Sequence, residues 1–187
     1  MRIFCTNFYR QMTYFTFSAK ELCIGDSRDI IATLCVLEPQ KDALDSNHKI
    51  DFITSQTLLH RTKHLQNTYP YISKSHSSGY AAILYSHIKM GVDLEMMKPR
   101  NISAHLELCC NAYETSYILK DPLENFYKVW TLKEAILKLQ NLQLDSIKSV
   151  GLSQEGAFGI SQTPICFKHI PLRQNFMLTM AWYSPHK

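Results

Sequence analysis

Two short segments of opposite periodicity constrain this chain more than anything else in it. Gly91-Val92-Asp93-Leu94-Glu95 alternates apolar and acidic residues, the pattern of a half-buried strand. On such a strand Asp93 and Glu95 point to one face, about 7 Å apart. The segment Trp130-Thr131-Leu132-Lys133-Glu134-Ala135-Ile136-Leu137-Lys138 has helical spacing instead. It places Glu134 and Lys138 (i, i+4) on one face, with Trp130 one turn before Glu134. A helix packed across the strand would let Glu134 close an all-oxygen site with Asp93 and Glu95. Three carboxylates with no soft ligand suit a hard cation, most simply Mg²⁺ completed by water and substrate phosphate. Each half has an ordinary alternative. The acidic strand face can simply be solvated, and Glu134 with Lys138 can form a surface ion pair worth roughly 0.2–0.5 kcal/mol. Both segments together, in this order within one chain of domain size, point to the metal site.

The 187 residues suffice for one domain with a real core, or for two small lobes sharing one. With 45% apolar and 19% charged residues the chain is globular, not disordered. A net charge of +4 suits anionic ligands or an acidic partner and falls well short of a nucleic-acid-binding signature. Basic residues are scattered, with a mild concentration at His60-Arg61-Thr62-Lys63-His64. His60 and His64 have metal-ligand spacing, but no Glu follows His60 and no third ligand stands out. The six cysteines include no C-x-x-C pair, and Cys109-Cys110 are neighbours. Free thiols in a reducing compartment are expected. The N-terminal residues interleave apolar and polar side chains, unlike a signal peptide. The longest apolar-rich run, 30–37, is too short to span a bilayer. A cytoplasmic protein that binds neither nucleic acid nor membrane is expected.

The periodicity predicts an α+β chain with mainly antiparallel pairing. Residues 2–18 read as strand, in one piece or two. Asp26-Ser27 could cap a helix over 27–37. An amphipathic helix is predicted over 48–66, with Ile50, Ile53, Leu58, Leu59 and Leu65 apolar, ending before Tyr69-Pro70. Two strands follow, 79–88 and 90–97, with Ser86-His87 near a tight connection. Residues 103–119 are helical in one or two pieces, stopped near Asp121-Pro122, and 123–139 form the longest helix. Short strands are expected at 147–152, 157–161, 164–170 and 175–183, with turns at Gln154-Glu155-Gly156 and Ile170-Pro171.

The two opening segments resemble the signatures of the 4′-phosphopantetheinyl transferases. The first signature reads Gly, Ile or Val, Asp, an aliphatic residue, Glu. The second reads Phe or Trp, two variable residues, Lys-Glu, Ala or Ser, two variable residues, Lys. Both are matched in full. A third family element, Ser-His-Ser near a glycine and an aromatic, has its counterpart in Ser75-His76-Ser77-Ser78-Gly79-Tyr80. The matched elements span 75–138, while residues 1–70 match only in general character. Chain length resembles the Sfp-like type, although this chain is short even for that type.

The resemblance implies a single catalytic unit of two similar α+β lobes, about 1–88 and about 89–187. In the family the lobes are related by a pseudo-two-fold axis, with coenzyme A bound between them and a monomer as the expected state. It implies Mg²⁺-dependent transfer of the 4′-phosphopantetheine arm of coenzyme A to a serine of an apo acyl or peptidyl carrier protein. Adenosine 3′,5′-bisphosphate is the other product, and the setting would be fatty acid or polyketide biosynthesis. The implied metal ligands are Asp93, Glu95 and Glu134. Lys138 would balance their charge and reach a phosphate oxygen, Ser75 and His76 would meet phosphate, and Lys133 would serve either phosphate or the surface. Glu114 stands where the family has a glutamate proposed as general base, with Glu107 as its competitor. The family's Gly-Lys-Pro element is missing, and Arg61, Lys63 and His64 occupy the comparable region. Lys74 replaces a commonly apolar residue. Arg61, Lys63 and Lys74 are therefore the expected contacts to the 3′-phosphate of coenzyme A. Met96, Met97 and Leu106 could anchor the carrier or pack in the core. Two other readings fit the same residues: a non-catalytic coenzyme A or carrier-binding module of this fold, and an unrelated Mg²⁺-dependent phosphohydrolase.

Overall fold

The computed structural model describes residues 4–7, 10–24, 28–38, 48–161, 163–172 and 175–184, with backbone alone for 4–7, 10, 11 and 48–50. They form an α+β protein with two antiparallel sheets. The described residues up to Met90 make one unit, and Gly91–Ser184 makes the second.

In the first unit the strands are β1 (Phe4–Asn7), β2 (Arg10–Ser18), β3 (Ile30–Leu37), β4 (Tyr71–Ser77) and β5 (Tyr80–Ser86), in the order β1-β2-β3-β5-β4. Every neighbouring pair is antiparallel. The segment 30–37 is a strand, not the predicted helix; the capping pair Asp26-Ser27 lies outside the described residues. Its continuous apolar run belongs to a strand bonded on both sides, to β2 and β5. The β-branched Ile30, Ile31, Thr33 and Val36 favour that state.

Helix α1 (His48–Arg61) leads into a 3-10 turn, Lys63–Asn67. Its buried stripe recurs at helical spacing but is largely polar: Asp51, Thr54, Ser55, Leu58 and Thr62. Ile53, expected on the apolar face, is exposed. The polar stripe is bonded inward. Thr62 Oγ1 donates to Leu58 O at 2.8 Å and meets Tyr85 Oη at 2.6 Å. Asp51 accepts from Gly79 N in the β4–β5 turn. That turn is a two-residue hairpin, Ser78-Gly79, with φ of 48° and 82°. Only a turn of this hand matches the strand twist, and a glycine takes it without strain.

The second unit begins with β6 (Met90–Met96) and continues with α2 (Ser103–Cys109), α3 (Ala112–Ile118) and α4 (Pro122–Gln140). A 3-10 turn (Leu144–Ser149) precedes β7 (Gly151–Ser153), β8 (Gly156–Phe158), β9 (Ile165–Leu172) and β10 (Phe176–Tyr183). The sheet order is β6-β10-β9-β8-β7. β5 and β6 thus belong to different sheets, although they adjoin in sequence. Ile170-Pro171 is not a turn: β9 continues through it, with Pro171 opposite Met177 on β10. Asp121 caps α4, accepting from Glu124 N at 3.3 Å, and Pro122 opens it, where the missing N–H costs nothing. Asn141, left-handed at φ 55°, ends it. Leu132, Ala135, Ile136 and Leu139 of α4 pack with Ile147, Val150, Ile165 and Ala181 in the core of this unit. Cys23, Cys35, Cys109, Cys110 and Cys166 are free thiols. No helix among the described residues is long and apolar enough to cross a membrane.

Candidate active site

Glycine and alanine make the seam on which the acidic residues meet. Gly91 of β6 lies so close to α4 that a Cβ there would collide with Ala135 O and stand 2.8 Å from Leu139 N. Residues 91, 93 and 95 share one face by strand alternation, so the face that touches α4 also carries Asp93 and Glu95. Val92 and Leu94, on the opposite face, are fully buried. The first glycine of one motif and the alanine of the other are therefore packing partners, and their small size sets the approach of strand to helix.

That approach brings Lys138 to Asp93. Its Nζ donates to Asp93 Oδ1 at 2.7 Å and to Val92 O at 3.1 Å. Asp93 is 4% exposed, so this is a largely desolvated pair. Glu134 is half-buried one turn before Lys138. Burial, and then the neighbouring Asp93 carboxylate, push its carboxyl above the usual carboxylate range, while Lys138 pulls it back. Among the described residues Glu134 makes no hydrogen bond or ion pair, so the alternative of a Glu134–Lys138 surface pair does not form. Lys138 turns to Asp93 instead.

The donor set fits a hard cation chemically: it is all carboxylate oxygen, and two of its members repel each other where a cation would relieve them. In the conformation described, no three His, Cys, Asp or Glu side chains among the described residues are gathered as a metal site, and the ammonium of Lys138 fills the place beside Asp93 Oδ1.

Glu114 and Lys133 lie elsewhere in the unit, facing each other. Lys133 is not at the surface but 1% exposed, and Glu114 is 0% exposed. Their ion pair measures 3.0 Å. Glu114, the third residue of α3, closes a capping box: it accepts from Asn111 N at 2.8 Å, while Asn111 Oδ1 accepts from Glu114 N at 2.9 Å. Its other oxygen accepts from Leu152 N at 2.9 Å. Lys133 Nζ also donates to Ile147 O at 3.1 Å and Val150 O at 2.5 Å. None of these contacts involves the carboxylates of β6. The Asn-x-x-Glu spacing is legible as a capping box; the burial of the glutamate beneath α4 is not. Glu107 is exposed on α2.

The remaining expected residues belong to the first unit. On the edge strand β4, Ser73 and Ser75 are buried, while Lys74 and His76 are exposed on the opposite face. The Ser-His-Ser element is thus the end of a strand entering the Ser78-Gly79 hairpin. Arg61 ends α1 half-buried, and Lys63 and His64 are exposed just beyond it. In the second unit Trp130 lies in the middle of α4. It stacks on Phe126 (centroids 6.1 Å, 14°) and meets His105 edge-on at 6.0 Å. Met97 and Leu106 pack against the same cluster.

Residues 89–174 match the family model described as the 4′-phosphopantetheinyl transferase superfamily. The match takes in β6, α2, α3 and α4, hence Asp93, Glu95, Glu114, Lys133, Glu134 and Lys138. The Ser-His-Ser strand lies outside it. The superfamily named from the two motifs is the one whose model matches. No curated protein matches the chain.

Proposed function

We propose that the chain is a 4′-phosphopantetheinyl transferase of the holo-carrier-protein synthase kind. It moves the phosphopantetheine arm of coenzyme A onto a serine of an apo acyl or peptidyl carrier protein and releases adenosine 3′,5′-bisphosphate. The observation that carries this reading is the meeting of Asp93, Glu134 and Lys138 on the Gly91–Ala135 seam, within a segment that matches the superfamily. In the reaction the serine oxygen bonds to the pantetheine-side phosphorus as the bond from that phosphorus to the bridging oxygen breaks. Charge grows on the leaving and non-bridging oxygens, so the protein's work is positioning and charge stabilisation.

Asp93, Glu95 and Glu134 would hold Mg²⁺, whose charge, when bound, offsets that of the pyrophosphate. Lys138 would release Asp93 to the metal and turn its ammonium to a phosphate oxygen, a short movement for a flexible side chain already one-third exposed. On the family resemblance His76 is a proposed phosphate donor and the basic Arg61, Lys63 and Lys74 the contacts to the 3′-phosphate. Ser75, the other proposed donor, is buried on the opposite face of β4 and would have to become exposed to join them. Removal of the serine proton by Glu114 would require that carboxylate to leave Lys133 and Leu152 N.

The test is release of adenosine 3′,5′-bisphosphate from coenzyme A by the purified protein. The transferase reading requires release to depend on both an apo carrier protein and Mg²⁺. Release without a carrier would favour a phosphohydrolase. Calorimetric binding of coenzyme A without any release would favour a binding module.

A further inference from the structure

The Glu114–Lys133 pair has the construction of a lock. All three N–H groups of Lys133 have acceptors: Glu114 Oε2, Ile147 O and Val150 O. Both oxygens of Glu114 are engaged, Oε1 by Leu152 N and Oε2 by Asn111 N and Lys133. Gly151 closes the space. Its φ is +152°, and a Cβ there would collide with Glu114 Oε1 and lie 2.7 Å from Lys133 Nζ. Asn111 Nδ2 adds a bond to Leu152 O at 3.0 Å. One buried pair therefore ties the first turn of α3, the middle of α4 and the segment 147–152.

Lys133 immediately precedes Glu134, and a helix turns as a rigid body. Buried and held by three acceptors, Lys133 restrains the rotation of α4 about its axis, and with it the direction of Glu134, about 100° further round. Lys138 is set by the same rotation. Misplacement of a reacting constellation by about 1 Å can cost roughly 100-fold in rate. We propose that Glu114 and Lys133 are positioning residues, a buried ion pair that orients Glu134 and Lys138, and not a proton acceptor and a phosphate ligand. The inference rests on the transferase reading for the site being positioned; the lock itself does not.

The test is a cycle of Glu114→Gln, Lys133→Met and the double variant, each read by urea unfolding and by transfer rate. A lone buried charge is costly, so each single variant should unfold at lower urea and transfer at least about 10-fold more slowly. The double variant removes both charges. It should regain much of the unfolding midpoint and transfer faster than Glu114→Gln alone, with the acid limb of the wild-type pH–rate profile retained. A double variant that regains stability yet transfers no faster than Glu114→Gln, with the acid limb gone, would overturn the proposal in favour of a general base. Additive unfolding midpoints would overturn the lock itself. Lysine acetylation of the folded wild type adds a reading that needs no variant. Lys133 should stay unmodified while exposed lysines react, and its modification at the surface rate would contradict the proposal. If wild-type protein transfers nothing, the transferase reading fails, while the unfolding cycle and the acetylation pattern still judge the lock.

Discussion

Glu134 carries the clearest conflict between folding and function. Burial and the Asp93 carboxylate raise its pKa in the folded chain, so the folded state holds that proton more tightly than the unfolded one. This tighter hold favours the fold below the ordinary carboxylate pKa and is lost as pH rises through the folded value. At neutral pH the ionised Glu134 is therefore a burden on metal-free protein. Glu134→Gln is expected to raise the thermal midpoint in metal-free buffer at neutral pH while lowering transfer by roughly 100-fold or more. Mg²⁺ should raise the midpoint of the wild type but not of the variant, by mass action on the folded state. Thermal scans with and without Mg²⁺ check both signs. A variant that is less stable without metal would contradict the account of this residue.

At the scale of elements, β6 and α4 were legible because each keeps its own period over several residues. The faces that Asp93, Glu95, Glu134 and Lys138 occupy were legible too, from alternation and the i, i+4 rule. The seam between them was not, because nothing local shows that Gly91 touches Ala135. The burial and pairing of Lys133 with Glu114 was hidden for a related reason: each is an ordinary polar helix residue until the segment 147–152 folds over both. β3 was missed because a short apolar run has no period to separate buried strand from buried helix. The seam makes its own prediction. Gly91→Ala must push β6 from α4, because the atoms it would strike are backbone. Urea unfolding should show a loss of about 1–3 kcal/mol, with a fall in transfer rate as Asp93 moves from Lys138. Unchanged stability would rule out the close approach.

Across the whole molecule, α+β character and antiparallel pairing followed from the sequence, whereas the polar ties through the second unit's core came only with its fold. One such tie crosses three elements. His169 Nδ1 meets Thr179 Oγ1 at 2.8 Å, which meets Thr131 Oγ1 at 2.6 Å, which donates to Tyr127 O at 2.7 Å. Burial, then Lys128, push the pKa of His169 down to about 4, with Glu124 opposing. The fold thus prefers the neutral imidazole. Its contribution is fully present above the unfolded value of 6.5 and is lost as pH falls towards about 4. Urea midpoints measured from pH 7 to pH 4 should fall more steeply for the wild type than for His169→Gln; parallel curves would remove His169 from the acid response.

The acidic seam is the centre of the account, and the mass of the carrier tests it most directly. Purified protein, coenzyme A, Mg²⁺ and each of several apo carrier proteins are incubated, and the carriers are read by intact mass spectrometry. The expected result is a gain of one phosphopantetheine arm on at least one carrier, abolished by chelation of Mg²⁺ and lost in Asp93→Ala. Folded wild-type protein that leaves every carrier unmodified, or an Asp93→Ala variant that transfers as well as the wild type, would contradict it.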